Sequence, residues 1–166
     1  MKRTLYLVRH AKSSWNNPAL DDFDRPLNER GKRDAPKMAK RMKERELAPD
    51  LLYSSPAKRA HKTCLEFATV LGIPDAAIQT DKDLYHADEE TLLCKIRQLK
   101  KKNDEVMLFG HNPGLTGFAN LLTGEWIDNI PTTGVIGIRF KVDSWKDIAP
   151  GTGKILFFDF PKKGKQ

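Results

Sequence analysis

The chain has 166 residues, enough for one hydrophobic core, and we predict a single domain over residues 1–166. Its 29 basic and 22 acidic residues leave a formal net charge of +7, which favours anionic partners, although no aromatic residues are interleaved among the basic ones as in many nucleic-acid surfaces. No apolar run approaches the roughly 20 residues of a membrane span, and the apolar N-terminal stretch is too short for a signal peptide, so we expect a cytoplasmic protein with no membrane partner. Nothing in the sequence specifically indicates nucleic-acid binding.

The first half of the chain alternates short apolar runs with helical patterns. The predicted elements are a buried strand 4–8, a polar loop 11–28, a helix 29–46, a strand 50–53, a helix from Pro56 to about residue 71 and a short strand 78–80. Gly72 and Pro74 end the second helix.

The second half continues the alternation. It predicts a helix 89–101, a strand 105–110, a turn 111–114, a helix 115–122, two closing strands 134–142 and 154–160 with a hairpin around 150–153, and a frayed tail 162–166. Cys64 and Cys94 form no metal-spaced motif, and we expect two buried or half-buried thiols.

Strands that alternate with helices predict an α/β fold with a largely parallel sheet, whose ligands bind beyond the carboxyl ends of the strands. Three such ends carry polar residues: Arg9 and His10, the segment 54–59 with Arg59, and His111 with Asn112.

Each of these residues alone has a structural interpretation, as a core histidine, a surface salt bridge or a solvated helix residue. Together, two arginines and a helix N-terminus at one sheet edge indicate a phosphate pocket. His10 is then a candidate nucleophile if a backbone carbonyl binds its other ring nitrogen and sets the tautomer. Arg9, Arg59 and His111 are candidates to hold the phosphoryl oxygens. Because no acidic cluster of the kind that binds Mg²⁺ accompanies them, we expect no metal and no cofactor.

Four segments resemble, in order, the signature blocks of the histidine phosphatase superfamily, which includes cofactor-dependent phosphoglycerate mutase. The segment 9–16 resembles its Arg-His-Gly-Glu-Ser-x-x-Asn block, with Ala11 for the glycine and Lys12 for the acid. The other three matches are 24–31, 53–63 and 110–112. The short chain and the Arg-His-Ala-Lys-Ser start resemble the SixA-type phosphohistidine phosphatases.

The resemblance implies a three-layer α/β/α sandwich with a mostly parallel central sheet, phosphoglycerate mutase-like, with the cap insert reduced or absent. It also implies that His10 becomes phosphorylated and that Arg9, Arg59 and His111 form the phosphate pocket. Asn16, Arg25 and Asn112 are further candidate phosphate contacts.

One departure concerns proton donation. The family's mutases carry a glutamate after the third strand as general acid, whereas the corresponding position here holds Tyr85 or His86. His86 or Asp22 is a candidate replacement, with His86 as a plain loop residue as the alternative. A phosphohistidine substrate needs less acid assistance, because its imidazole leaving group can already carry a proton.

We therefore expect a metal-independent phosphoric hydrolase that removes phosphate from phosphohistidine in a protein partner. One alternative is a phosphomonoesterase that uses the same site on a small phosphorylated substrate. The other is a non-catalytic phosphate-binding module.

Overall fold

The computed structural model describes residues 1–163, so residues 164–166 of the predicted frayed tail lie outside the described residues. Six strands form one sheet in the order β3-β2-β4-β1-β5-β6. The strands are β1 Arg3–Arg9, β2 Leu51–Ser54, β3 Ile78–Thr80, β4 Glu105–Gly110, β5 Val135–Phe140 and β6 Lys154–Asp159. β1 to β4 are mutually parallel, while β5 runs antiparallel to both β1 and β6. The predicted mostly parallel α/β sheet is confirmed.

Four helices connect these strands. They are α1 Glu29–Glu44, α2 Lys58–Leu71, α3 Glu89–Arg97 and α4 Gly114–Thr123. The Asn28 side chain accepts the Gly31 N–H and so caps α1, and Gly72 ends α2 in the left-handed conformation. The predicted C-terminal ends of α1 and α3, at residues 46 and 101, lie beyond the observed ends at Glu44 and Arg97. The chain leaves the α1 conformation before Glu46, which has a positive φ of 64°, and α3 tightens after Arg97, where the Gln98 N–H bonds the Lys95 and Ile96 carbonyls.

The helices cover both faces of the sheet. Met38 and Met42 of α1 and Phe67 of α2 pack with Tyr6 and Val8 on one face. The other face carries the second core, whose members include residues of α3, α4 and β1: Leu92, Ile96, Leu115, Phe118, Leu5 and Leu7. Alternate residues of β1 therefore enter opposite layers, as the two-residue period of a strand requires.

Two other expectations were wrong in detail. β5 and β6 do pair, but residues 141–153 join them, with a 3-10 turn at Trp145–Asp147, instead of a tight turn at 150–153. Cys64 is buried as expected, but Cys94 is exposed because it lies on the outer side of the short helix α3.

The strand register places the site. Arg9 at the end of β1 is opposite Gly110 at the end of β4, and Ser54 at the end of β2 is opposite Phe109. The residues that follow these three strands therefore meet at one edge of the sheet.

Candidate active site

His10 follows β1 and is held in place by backbone contacts. Its ring Nδ1 lies 2.8 Å from the Ala11 carbonyl, and the side chain is 8% exposed. Since a carbonyl can only accept, Nδ1 carries the proton and Nε2 presents a lone pair. The predicted backbone bond that sets the tautomer is thus confirmed. Burial, opposed by that bond and assisted by nearby Arg59, Arg9 and Arg25, lowers the pKa of His10 to about 3, so the imidazole is neutral.

Arg59 lies in the first turn of α2 and points at the nucleophile. Its Nε is 3.4 Å from His10 Nε2, and the residue is 3% exposed. The Thr63 hydroxyl donates to the Arg59 carbonyl and accepts the Ala11 N–H, so α2 is tied directly to the segment after His10. This contact fixes the arginine relative to the imidazole.

Arg9 approaches from the end of β1. One terminal nitrogen donates to the Ile130 carbonyl at 3.0 Å, and its Nε is buried without a partner in the protein. Burial, with repulsion from Arg59 second, lowers the pKa of Arg9. Two guanidinium groups therefore share a small, half-enclosed region, an arrangement that a bound anion would stabilise.

His111 follows β4 and completes this group. Its ring centroid is 5.2 Å from that of His10, and the residue is 3% exposed. Nε2 lies 2.8 Å from the Ser55 hydroxyl, while Nδ1 is buried without a partner. Burial, followed by the proximity of His10 and Arg59, lowers the pKa of His111 to about 2. The structure therefore brings together all four residues predicted as catalytic.

A loop that we call the strap, residues 13–27, covers one side of this group. It is closed by an antiparallel bridge between Ser13 and Leu27. Its 3-10 turn at Asp22–Asp24 places Asp22 beside Arg59, which donates to the Asp22 carbonyl at 2.6 Å and to its carboxylate at 2.9 Å. The strap thus contacts the pocket through an acidic residue.

Asp22 accepts further hydrogen bonds from Tyr85 at 2.6 Å, His86 at 2.9 Å and Arg25 at 2.8 Å. Burial raises the pKa of Asp22, but the bonds from Tyr85, His86, Arg25 and Arg59 outweigh it and hold that pKa well below its usual value. A carboxylate that is ionised at neutral pH has no proton to give. The geometry therefore does not fit Asp22 as a proton donor and leaves it as an acceptor that orders its neighbours.

His86 lies at the mouth of the pocket. Its Nε2–H donates to Asp22, its ring centroid is 5.0 Å from that of His111, and its φ is 51°. About half of its side chain is exposed. A positive φ is uncommon for a non-glycine residue and is typical of positions that the surrounding structure holds in place. Of the two proposed donors, only His86 combines access to solvent with a proton.

Arg25 lies near His10, but its side chain is bound within the strap. Arg25 is buried and donates to the Ser14 carbonyl, the Ser13 hydroxyl and Asp22, so all its nitrogens serve the strap. Asn16 is exposed, and its backbone N–H bonds Ser14.

The Asn112 amide is also engaged away from the pocket. It donates to Asn129 and to the Ile130 carbonyl, and its oxygen accepts from Thr116. Each of these side-chain bonds serves the loop before β5 or the start of α4. Among residues 1–163, no side-chain hydrogen bond joins Asn16 or Asn112 to His10 or His111.

Two pocket residues were not assigned roles from the sequence. Ser55 lies within the segments 54–59 and 53–63 that the sequence singles out, but the sequence assigns it no role of its own. Thr133 is fully buried with a φ of 61°, and its N–H donates to the carbonyls of both Arg9 and His10. No sequence signal marks Thr133, because its role depends on a loop that returns to β1 from more than 120 positions away.

The arrangement suits a phosphoryl group. It offers a neutral imidazole lone pair, two guanidinium groups and a second histidine at one point of the sheet edge. Within residues 1–163, no three His, Cys, Asp or Glu side chains converge as a metal site would require. In the same part of the chain, no helix has the length and apolar character needed to cross a bilayer.

The chain is similar in sequence and in structure to known proteins. The model of the histidine phosphatase superfamily (branch 1) matches residues 5–91, more than half of the chain. An uncharacterised chloroplastic protein of Arabidopsis thaliana is 30% identical over 155 residues, 89% of this chain and 71% of that protein. The structure of an Agrobacterium tumefaciens protein assigned as the phosphohistidine phosphatase SixA superposes with a TM-score of 0.82 and 30% identity, covering 96% of this chain and 98% of that one. A tungstate complex of the protein histidine phosphatase SixA shares the fold, with a TM-score of 0.81, 19% identity and coverage of 95% and 96%.

Proposed function

Because the chain belongs to the histidine phosphatase superfamily, we propose that it hydrolyses phosphohistidine in a protein partner through a covalent phosphoryl group on His10. The observation that carries the proposal is the fixed tautomer of His10. Its Nδ1 proton is bound by Ala11, while Nε2 faces Arg59 in a buried pocket.

The first step transfers the phosphoryl group. His10 Nε2 attacks phosphorus, a new N–P bond forms, and the N–P bond to the substrate imidazole breaks. The departing imidazole keeps the electron pair of that bond and leaves as a neutral ring when it already carries a proton on its other nitrogen or gains one. Arg9, Arg59 and His111 hold the phosphoryl oxygens as charge redistributes.

The second step releases the product. Water attacks the phosphorus of phospho-His10, the N–P bond breaks with its electron pair returning to Nε2, and inorganic phosphate leaves with both protons of the water. The imidazole is again neutral, because the Ala11 carbonyl still holds the Nδ1 proton. No metal ion has a role in either step of the proposed reaction.

The shape of the mouth supports a macromolecular substrate. The strap lies between β1 and α1, and it leaves Trp15 largely exposed and Phe23 partly so. Phe23 packs edge-on against Tyr85, with ring centroids 5.1 Å apart. Exposed aromatic side chains beside a pocket are typical of surfaces that contact another protein.

One observation favours a second candidate, hydrolysis of small phosphate monoesters at the same site. An alkoxide leaving group needs a proton, and the His86–Asp22 pair places an imidazole held by a carboxylate at the mouth of the pocket. His86 is the general acid in this alternative: its Nδ1–H gives its proton to the leaving oxygen, while its Nε2–H stays bound to Asp22, which orients the ring.

A comparison of hydrolysis rates on different substrates distinguishes the two candidate functions. Wild-type protein in EDTA is given a phosphohistidine-bearing domain, an aryl phosphate and an alkyl phosphate, and kcat/KM is measured for each. A clear preference for phosphohistidine supports the first proposal, whereas equal or faster turnover of the alkyl ester contradicts it in favour of the second. Loss of all activity in EDTA, with recovery on adding a divalent metal, would contradict the metal-independent mechanism.

A further inference from the structure

Ser55 follows β2 and contacts the second histidine of the pocket. Its hydroxyl oxygen is 2.8 Å from His111 Nε2, and both residues are buried. The same oxygen accepts the Ala57 N–H at 3.2 Å, at the residue that precedes α2. The bond from Ala57 uses a lone pair of the Ser55 oxygen but leaves the hydroxyl proton without an acceptor. Among residues 1–163, the other hydrogen-bond contact of this hydroxyl is His111 Nε2.

The direction of this hydrogen bond decides the tautomer of His111. If Nε2 carried the proton and donated it, the Ser55 hydroxyl would be buried with its own proton unbound, which is unfavourable. We infer that Ser55 is a positioning residue that donates to His111 Nε2 and thereby places the ring proton on Nδ1, as a donor to the phosphoryl group.

The surroundings of Nδ1 fit this assignment. The atom is buried and has no partner in the protein, in a ring that packs beside His10 and His86. Polar atoms without partners are rare in protein interiors and call for an explanation. A phosphoryl oxygen on His10 would accept the Nδ1–H bond. Because burial and then His10 hold the pKa of His111 at about 2, the ring donates as a neutral imidazole.

The two histidines then differ in the nitrogen that faces the substrate. Both carry the proton on Nδ1. In His10 the Ala11 carbonyl binds that proton, so the lone pair of Nε2 faces the pocket. In His111 the Ser55 hydroxyl binds Nε2, so the proton faces the pocket. One ring can only attack and the other can only donate, which keeps the nucleophile unambiguous.

The tautomer can be measured directly on the unmodified protein. Long-range ¹H–¹⁵N correlation spectra of the four histidines at neutral pH distinguish Nδ1–H, Nε2–H and doubly protonated rings. The His111 signals are assigned by their absence from His111→Gln. An Nδ1–H signature for His111 is expected, and an Nε2–H or imidazolium signature overturns the inference whatever the enzyme's activity.

Variants of Ser55 test whether its hydrogen bond to His111 contributes to catalysis. This test of catalysis rests on the proposed function. Ser55→Ala should shift His111 toward a mixture of tautomers and lower kcat by up to about 10²-fold, the scale of losing one donor to transition-state charge, with a smaller change in KM. Thr123→Ala removes a buried hydroxyl that donates to the Ala119 carbonyl at the end of α4 away from His111, and should retain both the tautomer and kcat. Ser55→Thr, which keeps a hydroxyl, should restore kcat.

The outcomes of these experiments distinguish a failure of the Ser55–His111 inference from a failure of the proposed function. A folded Ser55→Ala protein with wild-type kcat contradicts the positioning role. If Ser55→Ala does not fold, the wild-type spectrum still decides the tautomer. A wild-type protein that shows the Nδ1–H form but hydrolyses no phosphate compound contradicts the proposed function and leaves the tautomer assignment intact.

Discussion

Arg59 Nε lies 3.4 Å from His10 Nε2, so a permanently charged guanidinium directly faces the lone pair of the nucleophile. This contact has two consequences. It disfavours protonation of His10, because a second positive charge at Nε2 would be repelled. It also marks the place where a phosphoryl group would contact both side chains.

His10→Ala should abolish turnover of a phosphohistidine-bearing domain, by at least about 10⁴-fold, because the proposed intermediate forms on His10. The measurement is kcat, together with trapping of acid-labile, base-stable phosphate on the protein after rapid quench. His61→Ala on α2 is the control and should keep wild-type rates. Turnover within a few fold of wild type in His10→Ala contradicts the mechanism.

Arg59→Ala should lower kcat/KM by about 10³-fold, with KM raised and kcat reduced together, since the guanidinium contacts the phosphoryl group in both ground and transition states. Arg59→Lys keeps the charge but loses the planar fork, so it should recover only part of the rate. Lys58→Ala, one position earlier on α2, provides the matched control. A change confined to KM would show that Arg59 binds substrate without assisting the chemical step.

The buried histidines should make stability depend on pH. The pKa of His10 is lowered to about 3 and that of His111 to about 2, below the ordinary value of 6.5. The unfolded chain therefore binds more protons, so their contribution to stability is complete above pH 6.5 and is lost as pH falls toward the folded values. Between pH 6.5 and 5 the loss is about 2 kcal/mol for each histidine.

Urea unfolding at pH 7.5 and pH 5.0 checks this expectation. His111→Gln should reduce the difference between the two pH values, because one of the two buried imidazoles is absent. A wild-type free energy of unfolding that is equal at both pH values would show that neither ring stays neutral in the folded protein at pH 5.0.

His86→Gln should separate the two classes of leaving group. Loss of the general acid should slow alkyl phosphate hydrolysis by roughly 10²-fold, with a much smaller effect on phosphohistidine. Asp22→Asn should instead slow both substrates, because Asp22 also holds Arg59. Equal effects of His86→Gln on both substrates would assign His86 a structural role.

Much of the fold was accessible from the sequence because local patterns dominate it. Apolar runs of strand length, helix caps such as Asn28 and the stop at Gly72 are set by residues within one or two turns, and all six strands appear close to their predicted positions. The ends of α1 and α3 were missed by two to four residues, because the last turn of a helix is weakly determined by local propensity.

The identities of the four central pocket residues were also readable, since parallel strands bring their carboxyl ends to one edge whatever the details of packing. The sequence by itself therefore determined which side chains meet: Arg9, His10, Arg59 and His111. Tertiary structure alone decided their states. It buried both imidazoles and brought Arg59, Tyr85 and His86 from distant segments to the Asp22 carboxylate, which Arg25 of the same strap also binds. Protonation and hydrogen-bond direction depend on distances of a few ångströms between residues far apart in the chain, and no local pattern encodes those distances.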